Sequence, residues 1–260
     1  MEFKNTIYEK SEGIATITIN RPGALNALNE ETILEMLSEL DDAERDESIK
    51  VVVITGAGDR AFSAGADIKM MTDAGSLRAR ELSRLGQRLT NEIEDLGKPV
   101  IAAINGYALG GGLEVAMACD LRIASENARL GQPEINIGLF PGWGGTQRLP
   151  RFVGKGTAKE MIFTGKMIDA KTAKELGLVN AVVPADQLKS SVKELIAELI
   201  NRPPVALKLA KELINNSTET NLRLGMVHEA EAFGIVASTE DFKEGTTAFL
   251  QKRKPQYKGR

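Results

Sequence analysis

Apolar positions along the 260 residues fall into two periods. Over residues 13–19, Ile14, Thr16 and Thr18 alternate with Ala15, Ile17 and Ile19, the two-residue period of a strand. Residues 6–10 precede it across a Glu12-Gly13 turn, so the two segments predict a pair of short strands. Asn20-Arg21-Pro22-Gly23 breaks the pattern. Asn29 then reads as a helix N-cap, with Glu30 and Glu31 in the first turn and Ile33, Leu37 and Leu40 on one stripe. Val51-Val52-Val53-Ile54 is a continuous β-branched run, as in a parallel strand buried on both faces. Leu82, Leu85, Leu89, Ile93 and Leu96 predict a helix from Ser76 to Leu96. A strand over 99–104, a glycine run at 110–112 opening a helix from Leu113 to Ala118, and a strand over 121–124 follow. Strands alternating with helices predict an α/β fold with parallel pairing.

Past Gly144 helical patterns dominate, at 157–163, 170–176, 186–200, 204–216, 220–237 and 239–252, with one strand near 178–183. This half reads as a helical extension packed on the first. Phe242 and Phe249, seven residues apart on one helical face, suggest that the last helix docks onto something.

Hydrophobic residues at 42% and charged residues at 27% describe an ordinary globular chain. Lys+Arg 33 against Asp+Glu 36 gives a net charge of −3, which weighs against a nucleic-acid partner. The single Cys119 excludes an internal disulfide, and with the single His228 it falls short of a His/Cys zinc site. Cys119 reads as a small buried hydrophobe and His228 as a helix residue. The longest charge-free stretch, 99–113, is shorter than the ~20 residues of a membrane span. The opening MEFKNTIYEK lacks the apolar segment of a secretory signal. A soluble, cytoplasmic protein is expected, whose chemistry rests on carboxylates and backbone.

Four segments could carry that chemistry. Gly56-Ala57-Gly58-Asp59-Arg60-Ala61 follows a strand and loosely fits a dinucleotide fingerprint. That fingerprint needs a helix at once, whereas Phe62-Ser63-Ala64-Gly65-Ala66 reads as another tight turn, so an ordinary turn is expected. Ala64-Gly65-Ala66-Asp67 either lets backbone approach a ligand or is a plain turn capped by Asp67. Three glycines at 110–112 cost roughly 1 kcal/mol each against alanine inside a helix. Bare N–H groups facing a developing oxyanion would justify them, with Glu114 beside the site. A crowded strand–helix junction with Glu114 as a favourable first-turn acid is the competing reading. Glu134, after Gly131-Gln132-Pro133, lies in an otherwise apolar loop that would raise its pKa for general-acid work, unless it is simply solvated.

Asn20-Arg21-Pro22, Asn26-Ala27-Leu28, Ala64-Gly65-Ala66-Asp67, Asn105 to Glu114, Gly131 to Glu134 and Pro141-Gly142-Trp143-Gly144-Gly145-Thr146 occur in that order. As a set they resemble the crotonase (enoyl-CoA hydratase/isomerase) family, from about Ile7 to Lys254. The resemblance implies a spiral of repeated ββα units over 1–195 and a C-terminal helical trimerisation region over 196–260. It implies an acyl-CoA thioester substrate, no metal, no cofactor beyond the coenzyme A of the substrate, and a homo-oligomer, trimer or dimer of trimers. Backbone N–H groups of Ala66 and Gly111 would form the oxyanion hole. Glu114 would take the water proton as OH adds at Cβ, and Glu134 would protonate Cα. Coenzyme A contacts would fall to Ala24, Leu25, Ala64, Ala66, Asp67 and Ile68. Gly23 stands where many relatives carry Lys, so Lys69 and Lys252 become the candidates for a phosphate contact, Lys252 from a neighbouring subunit. Leu113, where many hydratases have Cys, is an apolar and neutral departure.

The activity implied is reversible syn hydration of a short-chain trans-2-enoyl-CoA such as crotonyl-CoA. In reverse it dehydrates 3-hydroxybutyryl-CoA, with 3-hydroxypropionyl-CoA as a further candidate. The alternatives are a double-bond isomerase of the same family and a non-catalytic RNA-binding relative. Phe140 and Trp143, flanking the loop after Glu134, are expected near the acyl end, where they would shorten the pocket.

Overall fold

In the computed structural model, which describes residues 3–72 and 74–260, a hairpin leads into three turns of a strand–strand–helix spiral. The hairpin is β1 (Thr6–Ser11) and β2 (Ile14–Ile19), followed by helix α1 (Glu30–Arg45). The first turn is β3 (Val51–Gly56), β4 (Ala61–Ser63) and α2 (Ser76–Asp95). The second is β5 (Val100–Ile104), β6 (Tyr107–Leu109) and α3 (Gly111–Ala118). The third is β7 (Leu121–Ser125), β8 (Arg129–Gly131) and, past a 3-10 segment at Pro133–Ile137, α4 (Gly145–Thr164). Then come β9 (Met167–Asp169), α5 (Ala170–Glu175), β10 (Ala181–Val183), α6 (Leu188–Leu199), α7 (Pro204–Asn216), α8 (Leu222–Ala237) and α9 (Glu240–Leu250).

Each turn sends its first strand to a six-stranded sheet, ordered β1-β2-β3-β5-β7-β10, and its second to a four-stranded sheet, ordered β4-β6-β8-β9. All pairings are parallel except β1 with β2 and β8 with β9. The smaller sheet corrects the sequence expectation. Phe62-Ser63, taken as the start of a tight turn, belongs to β4, a strand too short to show alternation.

The large sheet is covered on both faces, which explains its unbroken apolar runs. Val52, Ile54, Val100, Ala102 and Ile104 join a core with Ile33, Met36, Leu89 and Ile93 of α1 and α2. Their alternating neighbours Val51, Val53, Ile101, Ala103 and Ile123 pack against Leu188, Val192 and Ile196 of α6. The division expected between residues 195 and 196 therefore cuts a helix of the sheet's own core; the helical extension begins at α7. Helix α1 starts as expected, with the Asn29 side chain accepting from Thr32 N at 2.9 Å. Helix α4 starts well before the predicted 157–163, because Pro150 and a kink at Gly154 hide its first half from a periodicity argument.

Helix α7 is tied to the spiral by Lys211, whose Nζ pairs with Asp120 at 2.9 Å, and by Asn215, which donates to the Glu94 carbonyl. Residues 251–260 do not trail into solvent. Asp241 accepts from Lys258 N and Gly259 N at 2.6 and 2.8 Å, folding the basic segment back onto α9. Among the described residues, no helix is long and apolar enough to cross a membrane.

Candidate active site

The first turn of α3 is where three distant segments meet. Gly110, at φ 50° and ψ −128°, swings the chain from β6 into the helix. Gly65, at φ 104°, lies against it: a Cβ there would come within 2.9 Å of the Leu109 carbonyl and 3.3 Å of Gly111 N. Only glycine lets the 64–66 turn press this closely. The turn is fastened on its other side by the 21–28 loop. Ala64 N donates to Leu25 O (2.9 Å), Leu28 N to Gly65 O (2.8 Å) and Asp67 N to Leu28 O (2.9 Å). Arg21 closes the arrangement with an ion pair to Asp67 at 2.9 Å. The amides of Ala66 and Gly111 thus sit on adjoining backbone, and neither donates to an acceptor among the described residues. Buried N–H groups left without partners are rare, and two side by side form a cradle for negative charge. The far end of α3 is closed by the buried Arg122, which donates to the carbonyls of Ala116 and Cys119.

Glu114, 1% exposed, stands in that first turn. Its Oε1 accepts from Trp143 N at 2.7 Å and Gly145 N at 2.6 Å. Burial pushes its pKa up to about 7, while the two N–H donors and the Arg148 charge pull it down. Glu134, in the 133–137 segment, is raised to about 8, first by burial and then by the negative charge of Glu114. A Cβ on Gly110 would lie 3.0 Å from Glu134 Oε1, which sets this carboxyl over the start of α3. Buried Gln132 stands against Glu134. With its amide nitrogen toward Glu134 it donates to Oε1 at 2.9 Å and Oε2 at 3.2 Å. Backbone donors favour the anion at Glu114, and that anion favours a proton on Glu134. The glutamates that the sequence could not place together share one electrostatic site. Among the described residues, no group of three or more His, Cys, Asp or Glu side chains is arranged to hold a metal ion.

The enoyl-CoA hydratase/isomerase family profile matches residues 9–260. Over 254 residues the chain is 48% identical to the short-chain-enoyl-CoA hydratase of Clostridium acetobutylicum, covering 98% of this chain and 97% of that one. It is 46% identical over 257 residues to the crotonyl-CoA hydratase of Syntrophomonas wolfei, covering 99% of each. The solved enoyl-CoA hydratase of Bacillus anthracis superposes with a TM-score of 0.95 at 41% identity, over 99% of this chain and 100% of that one. The chain belongs to the enoyl-CoA hydratase/isomerase family.

For a member of this family, most of the expected binding positions form one ridge. Ala24 ends the 3-10 turn Pro22–Ala24, and Leu25, in a left-handed conformation, accepts from Ala64 N, while Leu28 and Arg21 of the same loop hold Asp67. Ile68 and Lys69 continue the ridge in the exposed 3-10 turn Ile68–Met70. Lys252 lies apart, exposed beyond α9, and no hydrogen bond or ion pair ties it to the ridge. The 56–61 turn runs from β3 into β4 with no helix after it, so the dinucleotide fingerprint fails. Its carbonyls are taken instead by the side chains of Asn26 and Asn105. Cys119 is buried, its thiol pushed up to about 12 by desolvation, and His228 is exposed on α8.

Trp143 corrects a sequence expectation. It is 2% exposed, its indole slotted between Gly86 of α2 and Gly111, where added Cβ atoms would come within 2.2 and 2.6 Å of the ring. It packs as a wall behind α3, whereas the sequence alone sets it at the acyl end; Phe140 is 69% exposed. Sequence reasoning also passed over Thr90, Arg148 and the role of Gly86. An isolated glycine in an amphipathic helix costs ~1 kcal/mol against alanine, and that was the available signal of a close approach.

Proposed function

We propose that this protein is an enoyl-CoA hydratase acting on short-chain trans-2-enoyl-CoA thioesters, and that Glu114 and Glu134 are its acid–base pair. One observation carries the reading: buried Glu114 and half-buried Glu134, electrostatically coupled so that the charge of one favours a proton on the other, stand beside two unpartnered backbone N–H groups. Glu114, in its ionised form, takes a proton from water while the hydroxyl oxygen bonds to Cβ. The alkene electrons move onto the thioester oxygen, where Ala66 N–H and Gly111 N–H receive the charge; such donors are typically worth several kcal/mol at the transition state. Protonated Glu134 then delivers its proton to Cα. The pair ends with the same number of protons, redistributed, and exchange with solvent resets it.

The names of the two curated relatives support a four-carbon substrate, crotonyl-CoA, over long acyl chains. Coenzyme A belongs to the substrate and would lie along the ridge from Ala24 to Lys69. A phosphate contact from Lys252 requires a second copy of the chain. The many exposed large apolar residues of α8 and α9 support a homo-oligomer, trimer or dimer of trimers, because exposed apolar surface on this scale marks an association site. Glu114→Gln and Glu134→Gln should each lower kcat for crotonyl-CoA hydration by ~10² or more with unfolding unchanged. Near-normal hydration by either variant would sink the two-carboxyl mechanism.

A further inference from the structure

Glu114 owes its placement to donors that are themselves held from behind. Its partner Trp143 N–H belongs to the same peptide unit as the Gly142 carbonyl, and a trans peptide is planar and stiff. That carbonyl accepts from Ser83 Oγ at 2.7 Å and Gln87 Nε2 at 3.0 Å, both on α2. The next carbonyl, of Trp143, accepts from Thr90 Oγ1 at 2.9 Å and Arg148 at 3.3 Å. Arg148 is anchored in turn by Glu94 (Nε to Oε2, 3.0 Å) and Asn91. Ser83, Gly86, Gln87, Thr90 and Glu94 recur at three- and four-residue spacing, so a single face of α2 grips the loop and accommodates its indole.

We propose that Ser83 and Gln87 are positioning residues of the hydration site, acting on Glu114 through the Gly142–Trp143 peptide, with Thr90 and Arg148 fixing the adjoining unit. The proposal rests on Glu114 being the base of the hydration reaction. Two effects run along the peptide. Hydrogen bonds accepted at the carbonyl hold the plane so that the N–H is aimed at Oε1. They also polarise the unit, making its N–H a stronger donor to the anion. The latch therefore favours ionised, correctly directed Glu114. The charged groups around this carboxyl are Arg148 of α4 with its partner Glu94 of α2, and Glu134 of the 133–137 segment. None of them is altered by changing Ser83 or Gln87.

The experiment compares the full-length wild type, Ser83→Ala/Gln87→Met, Ser83→Thr and Glu114→Gln in crotonyl-CoA hydration across pH, with thermal unfolding in parallel. The double variant is expected to lose about tenfold in kcat with KM changed less than twofold. Its acid limb should move to higher pH, since a weaker donor raises the pKa of the base. Ser83→Thr, which keeps the hydroxyl, should retain wild-type values. A double variant with unchanged kcat and acid limb overturns the proposal. So does a reduced kcat with an unmoved limb, as a merely structural role would give. If the double variant does not fold, Ser83→Ala alone is judged by the same two readouts. Should Glu114→Gln hydrate normally, the hydratase mechanism itself fails; if it is dead while the double variant is normal, only the latch does.

Discussion

Helices α3 and α8 are both dominated by apolar residues, yet they meet opposite fates. Every residue of α3 is buried, whereas Ala232 alone is buried in α8. Around α3 the chain supplies its own walls: the Trp143 indole, the 64–66 turn, and Arg122 at its far end. Around α8 it supplies few, leaving Met226, Val227, Phe233 and Ile235 exposed, and Phe249 of α9 is 83% exposed. Apolar residues lower the free energy only when something covers them. The first half of the molecule therefore covers its apolar helix within one chain, and the C-terminal helices leave theirs exposed.

Three variants test that division. The largest effect is expected in the finished half. A Cβ on Gly112 would lie 2.3 Å from the Ser63 carbonyl oxygen, backbone that cannot step aside. Gly112→Ala should abolish folding or cost more than ~3 kcal/mol in denaturant titration. A variant as stable as wild type would mean that α3 is not packed as described. Next, Phe233→Asp with Phe249→Asp should leave circular dichroism unchanged but shift the sedimenting species toward monomer, because the cost falls on association alone. An unaltered oligomer would remove α8 and α9 from the interface. The smallest effect is expected at Lys252. If a neighbouring copy presents it to a substrate phosphate, Lys252→Ala should raise KM for crotonyl-CoA about threefold with kcat unchanged. An unchanged KM would confine the C-terminal half to assembly.

The same division separates what the sequence reveals from what it conceals. The long strands and helices are legible because burial imposes a pattern on them, an unbroken apolar run in Val51–Ile54 and a helical period in the Leu82-Leu89-Ile93 face. Strands β4, β6, β8 and β9 have three residues each, too few for a period, and their pairing partners lie far along the chain. The smaller sheet is consequently silent in the pattern, although it carries the turn that brings Gly65 to Gly111. Glu114 and Glu134 are visible as carboxylates in glycine-rich, apolar surroundings. Their meeting depends on how successive turns of the spiral stack, which no local spacing encodes. Trp143 is misplaced for a related reason. Its position beside a site loop is clear from sequence, but the direction of its side chain is fixed by Gly86, 57 positions earlier.

Trp143 is also the only tryptophan in the chain. Light absorbed selectively by indole is therefore absorbed at one place, on the residue whose own amide meets Glu114. Its ring is sealed from water between two glycines, so the intact protein should emit at the blue end of the indole range and resist collisional quenchers. Any rearrangement of the first turn of α3 or of the loop behind it changes the surroundings of that one fluorophore. The molecule carries an optical gauge of its own site, built from the same packing that holds the site in shape.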